Sequence, residues 1–280
     1  MRETVDVSEA VRAAARVADR LGATGVTPRL LHHSNHISLR LEPLPLVARV
    51  RRLSHGGETV LARELAVVEH LAERHAPVAP PWGDAPAGPH VEGAFGLTLW
   101  QFIDHRPVDD ESQADVIAAG LTLREIHRAL ADFCGELPSY WEKFDECRSL
   151  LDDPSALPAL RGDDRRFLRA VYDYVVEKLD AADLEVVPIH GDAHLGNVLM
   201  TRNGPLWSDF ESACLGPREW DLRWTPDKER PTSADRDLLL TLGHSRSLCV
   251  SVWCWDRYDL PDKREAAEYH LAYLRQQFSR

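Results

Sequence analysis

An α+β chain built as two lobes, a small and mostly β one followed by a larger helical one, is the architecture this sequence predicts. Three observations carry that expectation. The 280 residues are enough for one large domain or for two lobes sharing a cleft, with ample length to bury a core. Strand-like pieces concentrate before Ile103, and beyond Ser112 apolar residues recur at helical spacing instead.

Asp6 or Ser8 can cap a first helix through Val11, Ala15, Ala18 and Leu21, and Gly22 supplies its stop. Residues 29–32, 37–41 and 46–50 read as strands, the last two joined by the turn-prone Glu42-Pro43-Leu44-Pro45. Leu61, Leu65, Val68 and Leu71 give a helix over 59–74, and the Pro- and Gly-rich 77–89 is surface loop. Residues 96–103 are β-prone and end at Asp104, which closes the small lobe at 1–103 and opens the larger one at 104–280. Ile117, Leu121, Leu123, Ile126 and Leu130 mark a helix after Ser112, and a further helix is expected over 163–179. Residues 186–189 lead into a His190-Gly-Asp loop. Beyond it, 198–200 and 206–208 flank Arg202-Asn203-Gly204, a turn of the Asn-Gly hairpin type. Residues 234–278 read as two helices broken at Leu260-Pro261, and no internal repeat or low-complexity tract is evident.

Composition narrows the function classes. Hydrophobic residues at 44% and charged residues at 28% are ordinary for a soluble globular protein, which excludes disorder. A formal charge of -12 argues against a general nucleic-acid binder, whose phosphate contacts need a basic face; it suits a cationic substrate, or simply a solvated acidic surface. The five cysteines contain no Cys-x-x-Cys pair, so neither a disulfide framework nor a thiolate zinc site is indicated. The start lacks the apolar core of a secretory signal and no apolar run is long enough to span a bilayer, so a cytoplasmic protein without membrane partners is expected.

Chemistry concentrates in His190-Gly-Asp-Ala-His-Leu-Gly-Asn197 and in Asp209-Phe-Glu211, twelve positions further on. An aspartate, an asparagine five residues later and a second aspartate one hairpin on is the spacing by which kinase-type sites set a base beside two magnesium ligands. Phosphoryl transfer asks a protein to align an acceptor hydroxyl with the γ-phosphate while cations absorb charge. Asp192 is the candidate base, and Asn197 and Asp209 are candidate oxygen ligands of Mg²⁺, a hard cation. A rival reading takes His190, Asp192 and His194 as zinc ligands of a hydrolase, but no further histidine cluster of suitable spacing follows.

These motifs, His190-Gly-Asp-x-His-x-Gly-Asn-Val-Leu199 and Ser208-Asp-Phe-Glu211, resemble those of the aminoglycoside phosphotransferase and choline kinase family, relatives of the protein kinases. The resemblance continues, in the family's order, through Gly216-Pro217, Trp220-Asp221-Leu222, Arg63-Glu64-Leu65 and Leu123-Arg-Glu-Ile-His127. It implies a protein-kinase-like bilobal fold with ATP or GTP as co-substrate between a nucleotide-binding N-lobe and a catalytic C-lobe. It also implies Asp192 as base, Asn197 and Asp209 as metal ligands, and His190 and Asp221 as supports of the catalytic loop. A helix N-cap is the plainer role for Asp221 and is compatible with support.

Two departures fall in the N-lobe. No lysine precedes Lys143, and Arg49 stands where the family commonly carries a phosphate-gripping lysine, with Glu64 as its expected partner. The phosphate-covering turn, residues 31–37, contains no glycine, although Ser34 and Asn35 match the Ser-Asn often seen there and can present N–H groups to phosphate. By the same resemblance Trp100, Gln101, Phe102 and Ile103 form the hinge that meets the purine. The expected acceptor is a small-molecule hydroxyl compound, an aminoglycoside-like or other cationic antibiotic first. Asp104, Glu211, Asp256 and Glu268 would supply acidic lining and Trp255 a stacking face. A sugar, nucleoside, amino alcohol or homoserine-like acceptor, or a nucleotide-binding regulator without turnover, are the alternatives. The oligomeric expectation is monomer or homodimer.

Overall fold

Alanines at one face of the first helix decide how the N-terminal sheet is covered. In the computed structural model, which describes residues 6–33, 36–53, 56–222 and 236–278, helix α1 spans Val7–Arg20 and Asp6 caps it by accepting the Ser8 N–H at 2.8 Å. Ala10, Ala13, Ala14, Val17 and Ala18 are all buried, and their small side chains let α1 lie close on the strands. Those strands are β1 (Thr27–His33), β2 (Ile37–Glu42), β3 (Leu46–Arg52), β4 (His90–Glu92) and β5 (Phe95–Gln101), paired antiparallel in the order β1-β2-β3-β5-β4.

Period-two alternation then sorts the sheet's two faces. Ile37, Leu39, Leu41, Leu46, Ala48, Val50, Phe95, Leu97 and Leu99 form one core with α1. The intervening residues, among them Arg49, Arg51, Thr98 and Trp100, therefore point away from α1. Cross-strand register sets Arg49 beside Ser38 on β2 and Thr98 on β5. Helix α2 (Gly57–Glu73) contributes buried Leu61, Leu65 and Val68, and with them a fully buried Glu64.

The chain divides into two compact units. One runs to Leu137 and takes in Asp192–Ala213; the other holds Pro138–Gly191 and the chain from Cys214. The first includes, besides the sheet, helix α3 (Gln113–Leu130) and the hairpin β7 (Val198–Thr201) and β8 (Gly204–Trp207). Trp207 is fully buried there, its Nε1 donating to Thr122 Oγ1 of α3 at 3.1 Å. The second unit packs α4 (Trp141–Asp152), α5 (Gly162–Asp180), α6 (Arg236–Trp255) and α7 (Pro261–Phe278) around Tyr140, Phe144 and Trp220, beside a two-stranded ladder of β6 (Val187–Ile189) and β9 (Cys214–Gly216). No helix among the described residues is long and apolar enough to cross a membrane.

Local differences from the sequence expectation have physical causes. The last strand of the five-stranded sheet stops at Gln101: the Phe102 N–H still donates to the Pro45 carbonyl at 2.8 Å in the same register, but a proline has no N–H to return the bond. The hairpin pairs Thr201 with Gly204, so its loop is Arg202-Asn203; the positive φ, +111°, falls on Gly204 and the turn is not of the Asn-Gly I′ type.

Candidate active site

Three groups of the sequence motif lie in one compact unit with Arg49. The Asn197 Nδ2 donates to the Asp192 carbonyl at 3.0 Å, which ties the two ends of the loop together and turns the amide's Oδ1 the other way. Ser208 locks the hairpin back onto this loop, its N–H and hydroxyl both donating to the Asn197 carbonyl at 2.9 and 3.0 Å. Asp209 follows immediately with φ +66° and ψ +59°, a left-handed backbone that aspartate tolerates better than most side chains and that costs about 1 kcal/mol or more. The turn is what aims its carboxylate at Arg49.

The residues just before Asp192 belong to the second unit. Asp221 is fully buried, and its carboxylate accepts the N–H of His190 at 2.9 Å and of Gly191 at 3.0 Å, while Trp220 Nε1 donates to the Gly191 carbonyl at 2.9 Å. Gly191 itself sits at φ +80°, which a side chain would strain, and it directly precedes Asp192 in the chain. Asp192 is half exposed, with His194 Nε2 3.7 Å from its Oδ2.

Arg49 is the centre of the charged cluster. Its Nη1 donates to Glu64 Oε1 at 2.6 Å, its Nη2 to Asp209 Oδ1 at 2.8 Å, and its Nε to His36 Nε2 at 3.1 Å. Arg51, two residues along the same strand face, donates to Glu211 Oε2 at 3.0 Å, and Arg63 reaches the Glu211 carbonyl. Burial disfavours charge on Arg49, but the carboxylates of Glu64, Asp209 and Glu211 outweigh it and hold its pKa above the ordinary value. Glu64 is pushed up to about 7, chiefly by burial and against the pull of Arg49, with Asp209 and Glu211 adding to the rise. Its Oε2 is buried with no hydrogen-bond partner, which further penalises the ionised form. Three acids around two strand arginines account for both directions: the guanidinium stays charged and the excess negative charge falls on the acids. Glu211 is likewise raised, by burial and then by Asp209. His36 moves the other way, down to about 3, by burial first and then by the charge on Arg49, so its imidazole is neutral.

The donor set fits Mg²⁺. Asp209 and Asn197 offer a carboxylate and an amide oxygen, and Mg²⁺ bound with substrate phosphates takes only one or two protein carboxylates and keeps its waters. No cluster of three or more His, Cys, Asp or Glu able to hold a metal occurs among the described residues, so His190, Asp192 and His194 do not form the zinc site of the rival reading.

The remaining sequence-derived residues scatter. Ser34 and Asn35 lie outside the described residues. Trp100 is buried, its Nε1 donating to Thr98 Oγ1 at 2.9 Å, and the Arg49 guanidinium lies 5.7 Å from its ring centre. The Gln101 and Phe102 N–H groups donate to the Pro80 and Pro45 carbonyls, while Ile103 accepts from His105. Asp104 is exposed and lies 3.7 Å from Arg202. In the second unit Trp255 and Glu268 line one cavity of about 320 Å³ with Tyr258, whose ring stacks on Trp255 at 4.4 Å and whose hydroxyl donates to Glu268. Asp256 is next in sequence but does not line it. His36 was not singled out from sequence; one of three histidines in its turn, it is marked only by its place one residue before β2, on the Arg49 side.

A β-sheet N-terminal region and a helical C-terminal region give the fold of the protein-kinase-like aminoglycoside kinases, and the family that the sequence matches makes the protein a phosphotransferase with an alcohol group as acceptor. The sequence profile of the phosphotransferase enzyme family matches residues 34–261, and the chain belongs to that family. Among solved structures the fold is similar to wild-type aminoglycoside 2'-phosphotransferase-IIIa in its GDP complex (TM-score 0.70, 14% identity, 94% of this chain and 99% of that one). It is also similar to the amicoumacin kinase hAmiN bound to AMP-PNP and Ca²⁺ (0.64, 13%, 90% and 88%) and to choline kinase LicA from Streptococcus pneumoniae (0.64, 13%, 94% and 99%). No curated protein sequence matches the chain.

Proposed function

We propose that the protein transfers the γ-phosphate of ATP or GTP to a hydroxyl of a small cationic molecule, an aminoglycoside-like antibiotic being the first candidate. The observation that supports this most is the gathering of Asp192, Asn197, Asp209 and the Arg49–Glu64 pair in one compact unit. In this reading residues 1–103 serve the nucleotide and 104–280 the catalytic loop and acceptor. Asp192 accepts the hydroxyl proton as the acceptor oxygen bonds to the γ-phosphorus and the bond to the β–γ bridging oxygen breaks, releasing ADP or GDP. Asn197 and Asp209 would hold Mg²⁺, which would supply neutralisation of phosphate charge. Arg49 keeps Glu64 and exchanges its bond to Asp209 for phosphate oxygens, while His190 and Asp221 steady the loop entrance.

Trp100 to Ile103 meet the purine through backbone groups other than the Gln101 and Phe102 N–H, which are already bonded. Trp255 and Glu268, sharing a cavity, are the strongest of the acceptor residues, with Asp104, Asp256 and Glu211 as further acidic lining. A charge of -12 favours a cationic acceptor. A cytoplasmic monomer or homodimer, without nucleic-acid or membrane partners, completes the reading.

Incubation with magnesium-ATP or magnesium-GTP and a panel of aminoglycosides, sugars, nucleosides, amino alcohols and homoserine tests it. One acceptor should gain the mass of a phosphoryl group; nucleotide binding without any such product would favour a regulator instead. Asp209→Asn separates charge from backbone, because asparagine also accepts the left-handed turn. Metal-dependent nucleotide binding should weaken at least about tenfold while thermal stability stays near wild type; unchanged metal dependence would remove Asp209 from the ligand set.

A further inference from the structure

We propose that His36 is a positioning residue for Arg49: its Nε2 takes the guanidinium's Nε–H and fixes the plane in which the remaining N–H groups meet the nucleotide's phosphates. The inference rests on the reading of Arg49 as the phosphate-gripping cation.

Geometry carries it. The two imidazole nitrogens align with two guanidinium nitrogens, Nε2 with Nε at 3.1 Å and Nδ1 with Nη2 at 3.2 Å. A guanidinium only donates and a neutral imidazole offers one acceptor; with Nε2 taking the Nε–H, the approach of Nδ1 to Nη2 is a contact and not a second hydrogen bond. Arg49 has five N–H groups; His36, Glu64 and Asp209 engage one each, which leaves one on each Nη. Those two groups form the fork that recognises phosphate, and a fork, unlike the point charge of lysine, works only when its plane is set. Glu64 and Asp209 both grip the outer nitrogens, and the Asp209 bond is the one given up when phosphate arrives. Among the described residues His36 is the one that holds the inner nitrogen, leaving the outer edge to the ligand. The alternation of β2 sends Ile37 into the α1 core and so turns His36 and Ser38 toward Arg49, where His36 lines a small cavity with Arg49, Arg51, Glu64, Thr98 and Glu211. The N-lobe thus has a built-in acceptor for an Nε–H that only arginine possesses.

Calorimetric affinity for magnesium-ATP and magnesium-GTP tests the coupling. His36→Ala should weaken binding roughly fivefold to tenfold. His36→Gln, which keeps an acceptor oxygen and guards against a folding defect in the alanine variant, should recover most of the loss. In an Arg49→Lys background, where no Nε–H exists, His36→Ala should change nothing further. An equal loss in both backgrounds, failure of glutamine to recover binding, or no loss at all overturns the inference. Arg49→Ala distinguishes the layers. If it weakens binding and His36→Ala does not, only the role of His36 falls; if it leaves affinity unchanged, the assignment of Arg49 to phosphate falls and His36 with it.

Discussion

Asp192→Asn is expected to bind magnesium-nucleotide as the wild type does and to turn over about 10²–10⁴-fold more slowly. The substitution keeps the volume and the loop. Among the contacts that shape this segment are those of the Asp192 carbonyl with Asn197 Nδ2 and of the Gly191 and His190 N–H groups with Asp221. What asparagine loses is the lone pair that receives the hydroxyl proton, a demand that arises in the transition state and not in the ground state. The loss should therefore appear in kcat, with KM for nucleotide little changed. Steady-state kinetics with the acceptor found by the panel, beside calorimetric nucleotide affinity, measures both. Wild-type kcat in the variant would leave Asp192 without the role of base, and loss of nucleotide affinity with kcat intact would make it a structural residue of the loop.

The parts of the site readable from sequence are those fixed by local spacing. Asp192 and Asn197 meet because five residues of tight loop bring the amide back to the Asp192 carbonyl, and Asp209 returns because β7 and β8 form a two-residue hairpin. Arg49 and Glu64 lie fifteen residues apart on a strand and a helix, and they were paired through family resemblance; nothing in their spacing dictates the 2.6 Å contact. The sequence does not mark His36 apart from its neighbours for the same reason: its partner is set by cross-strand register between β2 and β3, and the turn holds three similar histidines. The short β4 and β9 were missed because three residues carry no period, and their pairing partners are distant. Helix α4 did carry a signal, with Phe144, Cys147 and Leu151 at helical spacing, in a stretch otherwise dense in charge. Trp255 and Glu268 share a cavity because α6 and α7 pack, a tertiary fact that composition cannot supply.

Arg49→Met is expected to destabilise the protein by about 3 kcal/mol at alkaline pH and by much less in mild acid. Glu64 is only 1% exposed, so removing Arg49 leaves a buried carboxylate without its counter-charge. That carboxylate has an escape, because burial has already raised it to about 7 and a proton can replace the missing cation. An acid whose folded pKa lies above its unfolded value holds a proton that the unfolded chain has released, so stability falls as pH climbs from the ordinary glutamate value of 4.5 through the folded value. In the wild type this window closes near 7, since Arg49 pulls the Glu64 pKa down. Without Arg49 the folded pKa rises and the window extends upward. Thermal unfolding at about pH 6 and about pH 8.5 should show a small deficit that grows with pH, and the Arg49→Met/Glu64→Gln double variant should recover most of it at the higher value. A deficit equal at both pH values, or one that glutamine at position 64 leaves intact, would assign the cost to lost packing of the arginine stem.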